Sequence, residues 1–453
     1  MRQELHDYFV YPRIVKSGEL TEIAIHPRGR HALDEDPAGG RSESIELTVI
    51  PLEMFNTPDA DGRRYPVVTA RFERGAYRFK WRFDGEQEHY LKFKRRNRYA
   101  WGVREQAVRL SVYSLEADLY ALRPYRGDLH IHSCESDGRE EPCVVAANYR
   151  TYGYDFMALT DHGRMYPSIE VCQRFAGIPG GMLVMQGEEV HTDINHIHLV
   201  NFGGLSSVND WANRDCTGEY MRLIHERMAL QEPLPEGVDA TEFASYGVLC
   251  DKIREVGGLA IYPHPHWIEN AYHVRDCMTW ELFRARPFDA FELLGGQTVQ
   301  ENNMQLMIYA EARARGYEFP VVGSSDSHNS TNTSDWQDRT ALEQATIVLS
   351  PTLEREAILD SVRSGHSVAV AQYRGEQARV YGVYRLVKYG MFLMSEYFPQ
   401  HDELCAIEGA LIKKLLEGED YALPMLEQFK TAVSEFTRRC FEGRERTRED
   451  MIP

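Results

Sequence analysis

Between residues 125 and 375, short apolar runs end one after another in histidines and carboxylates, and no other feature limits the fold as tightly. The runs FMALTDH, GMLVMQGEEV, HIHLVNFG, GLAIYPHPH, AFELLGG and FPVVGSSDSH alternate with stretches of helical period at 141–153, 218–231, 245–257 and 300–315, with Gly316 placed as a helix C′ residue. Strand–helix alternation implies a parallel sheet, and six or seven such units over roughly 220 residues predict a closed barrel. The polar run-ends would then gather on the rim where barrel active sites form. TIVLS and TLEREAILDSVRSGHSVAV read as a last strand, helix and strand, and the polar stretch 205–245 reads as a lid or specificity loop.

The flanks have a different grammar. Segments 21–27, 44–53, 65–73, 76–83 and 107–115 alternate apolar and polar residues between turn clusters such as PAGG and TPDADG, which predicts a small antiparallel β-sandwich over 1–124. Residues 376–453 read as two or three amphipathic helices, broken at Phe398-Pro399 and at Gly418. The expected organisation is therefore a β domain over 1–124, an α/β barrel over 125–375 and a helical extension over 376–453. A chain of 453 residues needs such a division, because single cores stop growing near 250–300 residues.

Composition excludes several classes. With 51 Lys+Arg against 69 Asp+Glu the net charge is −18, which makes a poor general nucleic-acid binder. The stretch KFKRRNR at 92–98 is the one basic run that stands against this, and a solvated strand and turn is its plainer reading. The opening residues carry no apolar signal-peptide core, and no run is long enough to span a membrane. The eight cysteines form no CxxC, which suits reduced thiols in a cytoplasmic protein.

The run-ends carry the chemistry. Eleven of the 17 histidines lie between positions 130 and 328. His130 and His132 stand at i and i+2, so on a strand they share a face. Asp137 follows in a Ser-Asp-Gly turn, and then come Asp161-His162, Glu188-Glu189, His196-Ile197-His198, His264-Pro265-His266 and Asp326-Ser327-His328. Imidazoles mixed with carboxylates and no thiolate suit Zn, Mn or Fe, and the donors are too many for one ion. Each cluster alone has a plainer reading as surface or core polar residues, and Cys134 and Cys143 read as idle thiols. Their co-occurrence at successive strand ends favours a site of two or three divalent ions. No GxSxG, P-loop or GxGxxG occurs.

The ordered set DLHIHS–SDG, LTDH, GEEV, HLVNF, YPHP and GSSDSH resembles the PHP (polymerase and histidinol phosphatase) metal-dependent hydrolases, over about half the chain. The lead-in Tyr125-Arg126-Gly127-Asp128 behind a β domain is most similar to the branch of carbaryl-hydrolase-like enzymes and stand-alone phosphoesterases. The resemblance implies a distorted (β/α)7 barrel with a trinuclear centre. It implies His130, His132, Glu189 and Asp326 at a first ion, with Glu189 bridging. Asp137, His162 and His264 would hold a second ion, and His198 with His328 a third. Asp137 stands where relatives often have His, which hardens that position towards Mn or Fe. His266 stays open as an alternative to His264, and Arg139, Arg164 and His266 are the donors nearest in sequence for substrate.

The expected activity is phosphoester hydrolysis of a small anionic substrate by metal-bound hydroxide. A metallohydrolase of carboxyl or carbamate esters and a non-catalytic metal-binding scaffold are the alternatives. The helical extension offers a surface for homo-oligomerisation, and no membrane partner is expected.

Overall fold

The computed structural model describes residues 3–28, 43–54, 64–99, 102–268, 270–331, 343–373 and 375–443. The chain divides into two compact units: residues 1–123 with 391–401 and 431–453, and residues 124–390 with 402–430. The stretch read as a helical extension is thus shared between them.

The first unit is built on strands β1 (Tyr8–Tyr11), β2 (Ile14–Lys16), β3 (Leu20–Pro27), β4 (Ser44–Pro51), β5 (Val67–Glu73), β6 (Ala76–Arg82), β7 (Gln87–Tyr99) and β8 (Gly102–Leu115). They form one sheet in the order β1-β3-β6-β5-β4-β7-β8-β2, rather than the two facing sheets of the expected sandwich. The reason lies in the link Pro12-Arg13. It joins β1 at one end of the sheet to β2 at the other, so the two edges must approach and the sheet curls into a nearly closed barrel. Its interior is filled by alternating residues such as Ile23, Ile25, Leu47, Val49, Leu91, Leu110 and Val112. The basic stretch runs along β7, where Lys92 and Lys94 are exposed while Arg95 turns inward to Tyr8 Oη at 3.2 Å and Asp7 at 3.6 Å. The side chains after Arg95 in that stretch lie outside the described residues.

The second unit holds β9 (Arg123–Asp128), β10 (Phe156–Ala158), β11 (Leu183–Met185), β12 (Gly187–Val190), β13 (Leu199–Phe202), β14 (Leu259–Tyr262), β15 (Ala290–Leu294), β16 (Val321–Gly323), β17 (Gln344–Ser350), β18 (Ser367–Ala371) and β19 (Arg379–Tyr381). Two sheets result, β11-β10-β9-β17-β18-β19 and β12-β13-β14-β15-β16. Two single parallel bridges join them, His162 to Glu189 and Ile131 to Ser327. Among the described residues the pairings therefore run in a circuit β9, β10, β12, β13, β14, β15, β16 and back to β9. The circuit is not all-parallel, because β13 runs antiparallel to both β12 and β14. The seam between β9 and β16 is filled by β17, whose Thr346 Oγ1 bonds both the amide and the carbonyl of Gly323.

Helices Pro142–Thr151, Glu219–Ala229, Ala240–Glu255 and Val299–Ala314 lie close to the expected helical stretches. The stretch 205–245 is not a loop. It contains helices Val208–Asn213 and Glu219–Ala229, which bury Val208, Ala212, Tyr220 and Ile224 in the largest apolar cluster of the unit. The break expected at Pro399 is also absent. A π-turn over Leu393–Tyr397 widens the helix just before the proline, which relieves the clash of its ring with the preceding turn. Segment 402–430 belongs to this unit through Leu411, Ile412 and Leu426 and through the buried Arg150–Glu408 pair at 2.9 Å. None of the eight cysteines is in a disulfide. No helix among the described residues is long and apolar enough to cross a membrane.

Candidate metal centre

Both bridges that complete the circuit lie at or beyond the carboxyl ends of their strands, and the histidines and carboxylates gather there. Successive residues of β12 face opposite ways, so only one of its two glutamates can enter the centre. Glu189 does. Its Oε1 lies 2.7 Å from His198 Nδ1, 3.3 Å from His264 Nε2 and 3.4 Å from His130 Nε2. Its Oε2 lies 2.7 Å from His162 Nδ1, 3.6 Å from His191 Nε2 and 3.7 Å from His132 Nε2. Glu188 points away and accepts from Asn201 Nδ2, Ser207 Oγ and the Val208 amide at 2.9, 2.6 and 2.6 Å.

Two aspartates close the sides. Asp326 Oδ1 lies 3.1 Å from His132 Nε2 and 3.5 Å from His130 Nε2. Asp137 reaches His328 Nε2 at 3.2 Å and His162 Nε2 at 3.4 Å. The Ser136-Asp137-Gly138 turn lies directly on the His132 backbone. A Cβ at Gly138 would come within 2.8 Å of the His132 carbonyl, so glycine is required for Asp137 to reach in. Asp326 and His264 both have positive φ, 45° and 25°, a conformation that non-glycine residues adopt at a cost and that concentrates at functional sites.

The nine expected ligands, His130, His132, Asp137, His162, Glu189, His198, His264, Asp326 and His328, thus converge on one cluster, but their grouping differs from the expected one. His328 stands with His132, Asp137 and His162, and His264 stands with His198. The first follows from the 326–328 loop, where His328 Nδ1 donates to the Asp326 carbonyl at 2.8 Å and Nε2 turns towards Asp137. The second follows from the reversed strand, since Val200 pairs with Ile261 antiparallel and so sets the start of β13 beside the end of β14. His196 is exposed, with its amide on Glu242. His266 packs on Tyr272 and faces Asp276 at 3.6 Å instead of joining the cluster. Arg164 is exposed and donates to the Glu135 carbonyl, while Arg139 is exposed with its amide on the His328 carbonyl.

Three contributors went unread, and Asp161, read only as the neighbour of His162, has a supporting role of its own. Glu292, on β15, is fully buried with Oε2 3.0 Å from His130 Nδ1. That contact places a proton on Nδ1 and turns Nε2 towards Glu189 and Asp326. In spite of burial, Asp326, Glu189 and Glu292 hold His130 well above its usual value, so a cation at Nε2 would take the place of a proton. His191 lies two residues beyond Glu189 and so on its face of the strand, a spacing as legible as His130/His132. His273 Nε2 accepts the His198 amide at 3.1 Å, which places its proton on Nδ1 and makes it a support for His198. Asp161 accepts from the Ser133 amide and from the Ser133 and Ser136 hydroxyls at 2.6–2.8 Å and so fixes the loop carrying His132.

The electrostatics are those of a crowded donor set. Burial alone would raise the Glu189 carboxyl, but His198, His130 and His162 outweigh it and hold it well below the usual range. Burial pushes His132 down to about 3 against Asp326, and His198 down to about 4 against Glu189. His162 goes the other way, to about 10, because Asp137 and Glu189 overcome its burial. His130 Nε2, His132 Nε2, His198 Nδ1 and Glu189 Oε2 are buried and face partners of this same cluster at 2.7–3.7 Å without well-directed hydrogen bonds. Imidazole and carboxylate donors so crowded around one carboxylate make a poor polar network and a good cation cage. Borderline nitrogen and hard oxygen donors fit Zn, Mn or Fe.

No family model and no curated protein matches the chain. Three solved structures are similar to it at low identity. A two-domain protein from Bacteroides vulgatus, described as containing a PHP-like metal-dependent phosphoesterase, is 16% identical with a TM-score of 0.38, over 55% of this chain and 65% of its own. A protein from Bifidobacterium adolescentis described as a metal-dependent phosphoesterase is 15% identical with a TM-score of 0.32, over 47% and 92% of the two chains. An amidohydrolase from Chromobacterium violaceum, solved with sulfate and no metal, is 18% identical with a TM-score of 0.31, over 45% and 87%. The chain thus spans less than two thirds of the first of these.

Proposed function

We propose that the protein is a metal-dependent phosphoesterase with a PHP-type (β/α)7 centre holding two or three divalent ions. The observation that carries this reading is Glu189, a single buried carboxylate with three imidazoles on each oxygen. One residue so placed can bridge two ions, and cation binding accounts for six imidazoles gathered around one buried carboxylate. Bound ions of this kind supply hydroxide at neutral pH and neutralise charge on a transferring phosphoryl group.

In this reading His130, His132 and Asp326 hold one ion with Glu189; Asp137, His162 and His328 hold a second; and His198 and His264 hold a third with Glu189. Glu292 and His273 orient ligands without touching substrate. Three divalent cations outweigh the four carboxylates of Asp137, Glu189, Asp326 and the nearby Glu292, whereas two only balance them, so the three-ion form of the site favours an anionic substrate within an acidic chain. Arg164, exposed and donating to the Glu135 carbonyl in the 132–137 loop, remains our candidate contact for substrate.

Hydrolysis of neutral carboxyl or carbamate esters is the second reading, since the same ions polarise a carbonyl. The test is a panel of p-nitrophenyl phosphate, phosphodiester, acetate and carbamate on metal-loaded protein, which all release one phenol. Faster phosphate hydrolysis, inhibited competitively by inorganic phosphate, supports the proposal. Faster acetate or carbamate turnover with no competition by phosphate replaces it with the second reading.

A further inference from the structure

The cluster has two unlike sides. On the Glu189 Oε2 side stand His162, His191 and Asp137, with the exposed Arg164 following His162 in sequence. On the Oε1 side, His198 and His264 are backed by an indole: the Trp267 ring lies 5.9 Å from each of them and 5.5 Å from His273. Trp267 is held by its own backbone, with its amide on the His264 carbonyl at 3.1 Å and its carbonyl accepting the His273 amide at 2.8 Å. Ile268 and Tyr272 pair across the same hairpin, and the Ile268 amide is fixed by Glu301 Oε1 at 2.8 Å. Yet Ile268 is 44% exposed and Tyr272 42% exposed, while Trp267 is only half-buried. A pinned hairpin that keeps apolar and aromatic side chains in water beside a polar centre gains from any apolar group that covers them.

We propose that Trp267, with Ile268 and Tyr272, is the wall that receives a flat aromatic group on the substrate, so that this enzyme acts on aryl or nucleoside phosphoesters in preference to alkyl ones. The proposal rests on the phosphoesterase reading for where the phosphoryl group sits, and it names what that group is attached to. Trp267 here is a specificity residue: it stacks on the aromatic group and takes no part in holding metal. Removing one stacking ring typically costs about tenfold in affinity.

The test compares phenylphosphonate with methylphosphonate by calorimetry on the metal-loaded full chain, alongside hydrolysis of phenyl phosphate and glycerol phosphate. Wild type should bind phenylphosphonate more tightly. Trp267→Ala should retain its metal and lose about tenfold in kcat/KM for phenyl phosphate, through KM, with less than a twofold change for glycerol phosphate. Tyr272→Ala should show a smaller loss of the same selectivity. Equal losses on both substrates, or no aryl preference in wild type, would overturn the proposal. If Trp267→Ala loses metal, Trp267→Phe and Tyr272→Ala decide: an aryl preference unchanged in both overturns the proposal, and one reduced in either supports it. If no phosphoester is hydrolysed while carboxyl esters are, the phosphoesterase reading fails alone. Phenyl acetate against methyl acetate then reads the wall, with the same dependence on Trp267 required.

Discussion

Glu292 Oε2 lies 3.0 Å from His130 Nδ1, both side chains fully buried, and this contact decides which nitrogen of His130 faces Glu189. Glu292→Gln offers an amide that can donate to Nδ1 and push the proton to Nε2, the nitrogen that would bind metal. We expect metal affinity to fall roughly 10–100-fold while the chain stays folded. Competition with a calibrated chelator reads this directly, and an unchanged affinity would reject the orienting role.

Glu188 and Glu189 separate metal binding from stability. Glu189→Gln should lose more than one equivalent of metal by elemental analysis. Glu188→Gln should keep its metal, yet it leaves one of the donors from Asn201, Ser207 and Val208 facing an amide instead of an oxygen. A loss of about 1–3 kcal/mol is expected from a buried group left unsatisfied. Urea melts paired with metal analysis would show the two effects on different variants. Equal metal loss in both would mean that the strand faces are misassigned.

The first unit should lose stability in acid through His89. Burial pushes this imidazole from 6.5 down to about 4, with Asp84 opposing, and its Nε2 lies 2.8 Å from Ser114 Oγ. The sign follows from linkage: between these values the unfolded chain binds the proton and the folded chain does not. Stability is therefore fully present above pH 6.5 and falls as the pH drops towards 4, by up to about 3 kcal/mol. Thermal melts of wild type and His89→Gln at pH 7 and pH 4.5 check this. The variant should show the smaller acid loss, and a parallel decline would contradict it.

The candidate site was more legible in the sequence than the framework that carries it. His130/His132 could be read because the i, i+2 spacing puts both on one face without tertiary knowledge. Asp137 and the choice of Glu189 over Glu188 rested instead on the resemblance of the ordered motifs, since strand alternation alone does not say which glutamate faces inward. The pairing of His328 with Asp137, and of His264 with His198, could not be read, because it depends on β13 running backwards. Glu292 was invisible for a related reason: inside the apolar run AFELLGG, one carboxylate gives no sign of which imidazole it will meet. The single curled sheet of the first unit was missed because β1 and β2 are short, and only their positions at opposite edges reveal the closure. The stretch 205–245 looked polar because its helices bury one face each, and Pro399 looked like a break because a π-turn leaves no sequence signature.

The central claim is that this cluster holds more than one divalent ion. Elemental analysis of the purified chain after loading with Mn²⁺ or Fe²⁺ and removal of excess metal tests it most directly, with Glu189→Gln run in parallel. The account predicts two to three equivalents per chain in wild type, a loss of more than one in the variant, and phosphatase activity abolished by chelation and restored by the metal. One equivalent or less in wild type, unaffected by Glu189→Gln, or hydrolysis persisting in protein shown to be metal-free, would contradict it.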